Sequence, residues 1–143
     1  MKKYFILCFL ISGSFSGFAN EIKKPVEDSA FIYIYRAGQF SGSLSNWAMF
    51  VDDKRICKLS NGKFIKVYVT PGKHKVSAKI GGVDLFKKET EVEIEVEAGG
   101  TYYVACNIKQ SITRARLEMI EVTKSTGQKQ MEKMTVDKCQ EAE

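Results

Sequence analysis

Phe64-Ile65-Lys66-Val67-Tyr68-Val69-Thr70 runs into Pro71-Gly72, and Lys73-His74-Lys75-Val76-Ser77-Ala78-Lys79-Ile80 runs out of it. Downstream, Thr90-Glu91-Val92-Glu93-Ile94-Glu95-Val96-Glu97 alternates polar and apolar residues without a break. Period-two alternation is the mark of a half-buried strand, and Pro-Gly between two such runs marks a turn. Read as a two-residue hairpin, Pro71-Gly72 sets Val69 opposite His74, Val67 opposite Val76 and Ile65 opposite Ala78. The branched apolar residues then share one face, which a one-residue slip would destroy. The other face carries Phe64, Lys66 and Tyr68 beside Lys79, Ser77 and Lys75. Pro followed by Gly suits a type II turn. Tight hairpins prefer the primed types, so the corner is expected to splay or open into a wider loop. An antiparallel third strand places Lys79 near Glu91, Lys75 near Glu95 and Lys73 near Glu97. Such pairs contribute roughly 0.2–1 kcal/mol each, at the low end when exposed.

Outward from this stretch, the remaining strands follow from β-branched and aromatic runs bounded by turn residues. Ala30–Arg36 is one, Asn46–Asp52 and Arg55–Leu59 flank an acidic turn at Asp52-Asp53, and Thr101–Lys109 and Arg114–Val122 follow Gly99-Gly100. Ala37–Ser45 and Ser60-Asn61-Gly62 are loops. Near the end, Ser125 with Gln128 three residues on is a possible capping box. It predicts a short helix over Thr126–Met134, which Gly127 weakens. The residues after it are polar and expected to fray. About eight short strands with frequent turns predict an all-β fold, an antiparallel β-sandwich of about seven or eight strands with a short C-terminal helix or tail.

A chain of 143 residues, 44% hydrophobic, suits one domain with a real core. Met1–Ala19 has the pattern of a secretory signal: Lys2 and Lys3, the apolar run Tyr4–Ile11, then small and polar residues. Gly17-Phe18-Ala19 predicts cleavage after Ala19. The apolar run is far shorter than the roughly 20 residues of a spanning helix, so no transmembrane segment is expected after its removal. Cys8 sits inside the apolar run and follows Leu7, which argues against a lipid-attached cysteine. The organisation read from sequence is therefore 1–19 signal, 20–29 polar lead-in, 30–122 sandwich, and 123–143 short helix and polar tail.

Removing Lys2 and Lys3 leaves 20 basic and 17 acidic side chains, net +3. The charges are segregated. Lys54, Arg55, Lys58, Lys63, Lys66, Lys73, Lys75 and Lys79 occur with no acid between them, and Glu89–Glu97 holds five glutamates and no base. A cross-strand Lys–Glu ladder accounts for this better than a polyanion site. Export takes the chain away from nucleic acid, which is not expected as a partner. Cys57, Cys106 and Cys139 survive signal removal. An exported chain meets a compartment where disulfides persist, and three cysteines leave at least one thiol over. All three are candidates for a bond. Sequence does not give the connectivity.

Phe31-Ile32-Tyr33-Ile34-Tyr35-Arg36, Val51-Asp52-Asp53-Lys54, Pro71-Gly72-Lys73-His74 and Ala98-Gly99-Gly100-Thr101-Tyr102-Tyr103, in that order, resemble a bacterial family of exported or lipid-anchored proteins, domain-of-unknown-function family 2846 (DUF2846). The similarity covers roughly Ala30–Val122. It implies a β-sandwich that also looks like the surface-associated PEGA modules, whose naming motif is absent here. Asp53 stands where the family pattern has Gly, and Asp accepts a positive φ less readily. The resemblance brings no catalytic residues with it.

His74 is the only histidine, and a general base needs a reacting partner within hydrogen-bond reach. It is expected to face inward as a structural residue. With three dispersed cysteines it has no metal-ligand spacing, and no cofactor is implied. Asp52-Asp53 suits a turn better than a cation site. Of Tyr102-Tyr103, one ring faces in and one out. The outward ring, with Phe64 and Tyr68 among Lys66 and Lys75, is read either as ordinary cross-strand packing against the lysine stems or as an exposed aromatic patch suited to sugars, anions or proteins. The sequence thus points to an exported, non-enzymatic module in the periplasm or on the cell surface. Its partner would be an envelope component or another protein. The alternative is a small hydrolase or thiol-active protein using His74 or a cysteine.

Overall fold

In the computed structural model, which describes residues 28–39, 46–80, 91–110 and 115–138, each alternating run is a strand. They are β1 Ala30–Arg36, β2 Trp47–Val51, β3 Lys54–Leu59, β4 Lys63–Val69, β5 Gly72–Ile80, β6 Glu91–Val96, β7 Thr101–Gln110 and β8 Ala115–Val122. Helix α1, Lys124–Met131, and a two-residue strand β9, Thr135–Val136, follow. Sheet A has the order β8-β7-β1-β4-β9 and sheet B the order β3-β2-β5-β6. The result is an all-β, sandwich-like fold. Most ladders are antiparallel, but β1–β7 and β4–β9 are parallel. The expected signal Met1–Ala19, with Cys8, and the terminal Cys139 lie outside the described residues.

The Pro71-Gly72 corner departs from the expected hairpin. Strand β4 pairs with β1 and β9 in sheet A, while β5 pairs with β2 and β6 in sheet B. Val69 and His74, Val67 and Val76, and Ile65 and Ala78 are therefore not cross-strand partners. The reason is backbone chemistry. Proline fixes φ near −65° and cannot take the first central position of a primed turn. Gly72 has φ 134°, which side-chain-bearing residues rarely adopt. The chain turns from one sheet into the other. The assignment of faces survives this change: Ile65, Val67, Val76 and Ala78 are all buried in one core. They lie in opposing sheets rather than side by side.

That core fills the space between the sheets with Ile32, Ile34, Trp47, Met49, Cys57, Leu59, Ile94, Val96, Val104 and Leu117 among others. Arg36 ends β1 fully buried, its guanidinium 3.8 Å from the Trp47 ring centroid. The planar cation stacks on the indole face and keeps its charge inside the sandwich. Strand β6 pairs antiparallel with β5 as expected, with a register shifted by two: Lys73 lies opposite Glu95, Lys75 opposite Glu93 and Ser77 opposite Glu91. A two-residue shift leaves every side chain on its face, so alternation alone does not distinguish the registers. The Lys75 ammonium reaches Asp53 at 2.9 Å instead of a ladder glutamate.

Helix α1 starts at Lys124 rather than Thr126. Its cap is Thr123, whose side chain accepts from the Thr126 N–H at 3.4 Å. The helix lies on the outer face of sheet A. Gly127 is buried against Tyr103, Gln130 accepts from the Tyr35 hydroxyl, and Met131 and Met134 pack around Tyr35, Tyr103 and Ala105. Residues 135–137 are held in place: β9 adds to β4, and the Asp137 N–H donates to the Phe64 carbonyl at 2.8 Å, while the last residues, expected to fray, lie outside the described residues.

Gly127 explains itself by contact. A Cβ there would come within 2.4 Å of the Tyr103 ring. Alanine favours an isolated helix over glycine by about 1 kcal/mol. Gly127→Ala is nonetheless expected to destabilise the protein by about 1–3 kcal/mol, the usual range for overpacking. The measurement is urea denaturation followed by near-ultraviolet circular dichroism of the tyrosines. An equal or higher midpoint would show that α1 does not sit on Tyr103.

Candidate functional site

The outer face of sheet A is built by three adjacent strands. Register places Phe31 beside Tyr68, Tyr33 beside Lys66, and Tyr35 beside Phe64 on β1 and β4. On the other flank, Tyr33 lies beside Tyr103 and Tyr35 beside Ala105. Every second residue of β1 is thus aromatic, on the face opposite Ile32 and Ile34. Phe31 meets Tyr68 edge-on at 4.9 Å between centroids, and Tyr33 stacks on Tyr103 at 5.2 Å. Tyr33 also lies 6.0 Å from Phe64. Lys66 stands among these rings, its ammonium 3.8 Å from the Phe31 centroid and 5.4 Å from that of Tyr68. Aromatic faces carry negative potential, so the cation is held where it stands.

Helix α1 divides this face. It covers Tyr35 and Tyr103, leaving Tyr103 only 5% exposed, so that ring is not part of an open patch as expected from sequence. Phe64 is half-buried beside Met131 and Met134. The open end is Phe31, Lys66 and Tyr68, with Tyr68 56% exposed. Of the residues singled out by sequence, Phe64, Lys66 and Tyr68 therefore share the face. Lys75 does not: it lies on β5 in sheet B, bonded to Asp53. Its placement beside Tyr68 depended on the hairpin that the corner replaces. Phe31 and Tyr33 were missed. Their alternation was visible, but only the β1–β4 pairing makes them neighbours of Lys66.

A second polar cluster joins the β2–β3 turn to the corner between the sheets. Asp52 and Asp53 are the two central turn residues, with φ 50° and 62°. The Asp52 N–H donates to the Lys75 carbonyl at 2.9 Å, and Asp52 Oδ1 accepts the Lys75 N–H at 3.0 Å. The carboxylate thus replaces a ladder carbonyl that the left-handed turn has swung away. Its other oxygen lies 2.6 Å from His74 Nδ1, while His74 Nε2 donates to the Thr70 carbonyl at 2.7 Å. A carbonyl and a carboxylate only accept, so both ring nitrogens donate and the ring is an imidazolium. Burial pulls the His74 pKa down, but the Asp52 and Thr70 hydrogen bonds outweigh it and the net shift is upward. Burial pushes Asp52 up, and the bonds from His74 and Lys75 outweigh that and lower it.

The cysteines differ in state. Cys57 is disulfide-bonded. Cys106 is a free, fully buried thiol on the core side of β7, and burial pushes its pKa up to about 12 despite the opposing charge of Arg36. Among the described residues, no three His, Cys, Asp or Glu side chains converge as a metal site would require, and no helix is long and apolar enough to cross a membrane.

The histidine cluster has a definite pH signature. A raised His74 pKa gives stability that is complete below the ordinary value near 6.5 and is lost as pH rises through the folded value. A lowered Asp52 pKa gives stability present above the ordinary carboxylate value and lost as pH falls through the folded one. The pair therefore stabilises most between about pH 4 and 6.5. Asp52→Asn is expected to cost about 1–2 kcal/mol in that window. It should also weaken the decline in urea midpoint as pH rises above about 6.5. A variant that declines in parallel with wild type would show that His74 is not held charged by Asp52.

Comparison with curated proteins gives no match to this chain. One family model does match, over residues 26–118, the span that holds β1 to β7 and the start of β8. On that match the chain belongs to the family described as "Protein of unknown function (DUF2846)".

Proposed function

We propose that this is an exported, non-enzymatic β-sandwich module. It binds an envelope component or a partner protein through the open end of the outer face of sheet A. The observation that carries this reading is the Phe31–Lys66–Tyr68 group. Aromatic faces and an ammonium are presented together at the surface, beside a half of the same face that α1 already covers. Such a surface offers stacking area and a hydrogen-bond donor on a rigid sheet, which is how binding anchors concentrate energy in few residues. The leader-like pattern of Met1–Ala19 supports export. Both His74 nitrogens are engaged in tying the corner after β4 to the β2–β3 turn, which supports a structural rather than catalytic histidine.

A photo-crosslinking residue placed at position 68 in living cells tests the surface. Adducts should form there and not at position 93, on β6 of the other sheet. Lys66→Ala should weaken them by about tenfold if Lys66 contributes as an anchor does. Equal adducts at positions 68 and 93 would remove the site.

The reading of a thiol-active enzyme is separated by labelling Cys106. The thiolate is the nucleophile, and burial suppresses it. Cys106 is expected to label in the folded protein at least about a hundredfold more slowly than a free thiol, and at the ordinary rate in denaturant. Fast labelling of Cys106 in the native state would return the enzyme reading.

A further inference from the structure

Strand β4 is paired with β1 from Phe64 to Val69, but on its other side β9 covers only Lys63 and Phe64. Residues 137 and 138 have left the ladder, and the Asp137 carboxylate turns to the Ser60 N–H at 2.6 Å. Main-chain groups of successive strand residues point to alternate sides. The Phe64 carbonyl accepts the Asp137 N–H and so faces the outer edge. Lys66 and Tyr68 face the same way, while Ile65, Val67 and Val69 face β1. The β1 side agrees: Phe31, opposite Tyr68, turns its N–H to the Gly100 carbonyl at 2.9 Å, away from β4. Among the described residues, nothing pairs with the main-chain groups of Lys66 and Tyr68 on this edge. The edge runs to Val69 with neither a bulge nor a proline, the form in which an edge accepts another strand.

We infer that the partner of this surface is an extended polypeptide segment of another molecule, which joins sheet A as a strand along Ile65–Val69, next to β9. The inference rests on the reading of the Phe31–Lys66–Tyr68 end as a binding surface and names what fits it. Strand β9 shows that this edge takes a strand. Main-chain bonds to Lys66 and Tyr68 hold the incoming segment, and its alternate side chains set specificity. On its outer side lie Tyr68 and Lys66. Lys66 meets rings and, among the described residues, no carboxylate, and β4 carries Lys63 and Lys66 but no acid. An acidic residue there complements the edge. On its inner side lie Ile65, Val67 and Val69, at the rim of the core, which call for apolar residues. The segment therefore alternates acidic or aromatic residues with apolar ones. A second folded copy of this chain fits less well. The open edge ends at β9 on one side and at the Pro71 corner on the other, a length of roughly 17 Å at about 3.3 Å per residue. A strand pair of that length buries far less than the roughly 1,200 Å² at which stable protein pairs begin.

Hydrogen exchange of the wild-type protein, read amide by amide by nuclear magnetic resonance, tests the edge. In the free protein the Lys66 and Tyr68 amides should exchange at least about tenfold faster than those of Ile65 and Val67. Equal protection of all four would overturn the proposal. The probe is an acetylated, amidated peptide of about six residues alternating valine and glutamate. At about ten times its Kd it should slow exchange at Lys66 and Tyr68 about tenfold. No protection at its highest soluble concentration would overturn the proposal. Two N-methylated probes, one blocked at the glutamate amides and one at the valine amides, separate strand addition from side-chain contact. One should bind like the parent and the other should not bind, because only one set of amides faces β4. Equal binding by both would overturn the proposal. In living cells, the adduct formed at position 68 should yield, on proteolysis, a crosslinked peptide from a different protein. A carbohydrate or lipid adduct, or a second copy of this chain, would overturn the strand proposal and leave the surface in place. Absence of any adduct would remove the surface and the proposal together.

Discussion

The corner at Thr70-Pro71-Gly72 is the constraint on which this structure depends. Two alternating strands meet there, each with an apolar stripe that must leave water. Proline prevents the tight hairpin that would set the stripes side by side, and Gly72 permits the turn that sets them face to face. Once β4 and β5 lie in different sheets, the rest must supply neighbours. Strand β1 comes to β4, and β2 and β6 flank β5. His74 then locks the corner from inside, one nitrogen on Thr70 before the turn and the other on Asp52 of a neighbouring strand connection. A buried imidazolium is costly by itself. Here every N–H of the ring has an acceptor, so its charge ties the corner to the β2–β3 turn.

The two outer faces then part in character. Sheet B presents Lys73, Lys75, Glu91, Glu93 and Glu95 to solvent, a charged and well-hydrated surface. Sheet A presents rings. A row of Phe31, Tyr33 and Tyr35 flanked by Phe64, Tyr68 and Tyr103 is too apolar to leave wholly in water, and α1 covers one end of it. At the other end Lys66 covers part of the ring surface with its own side chain while leaving its ammonium accessible. The asymmetry is the ground for placing the proposed binding on sheet A rather than on the charged sheet.

Strand existence and facing were legible in sequence because period two is imposed by the pleat itself. Ile65 and Val67 against Lys66 and Tyr68 needed no tertiary knowledge. Neighbourhood was not legible. Alternation says which side a residue occupies and nothing about which strand lies beside it, so the parallel pairing of β1 with β7 left no trace in the chain. The same blindness displaced Lys75: it was grouped with Tyr68 because the two strands are consecutive, whereas the corner sends them to different sheets. The two-residue error in the β5–β6 register has a related cause, since Lys and Glu recur at every second position and several registers match charges. For the site, Lys66 and Tyr68 were found from spacing on one strand, and Phe31 was missed because its relation to them exists only across strands. Strand β9 is two residues long and its pairing depends on main-chain bonds at Lys63 and Phe64, which no side-chain pattern encodes.

The β2–β3 turn shows how such a structure accommodates local strain. Both central residues have positive φ, the geometry a twisted two-residue hairpin favours and for which glycine or asparagine is the easy choice. Aspartate at both positions costs backbone energy. Each carboxylate has a compensating task that glycine lacks. Asp52 completes the ladder to Lys75 and holds His74, and Asp53 takes the Lys75 ammonium. A glycine at position 53 would relax φ and give up only an exposed ion pair, a nearly even exchange. At position 52 it would release a buried imidazolium and a strand N–H together. The two positive-φ aspartates are therefore not equivalent: the first is part of what holds the corner, and the second is an accommodation at the surface.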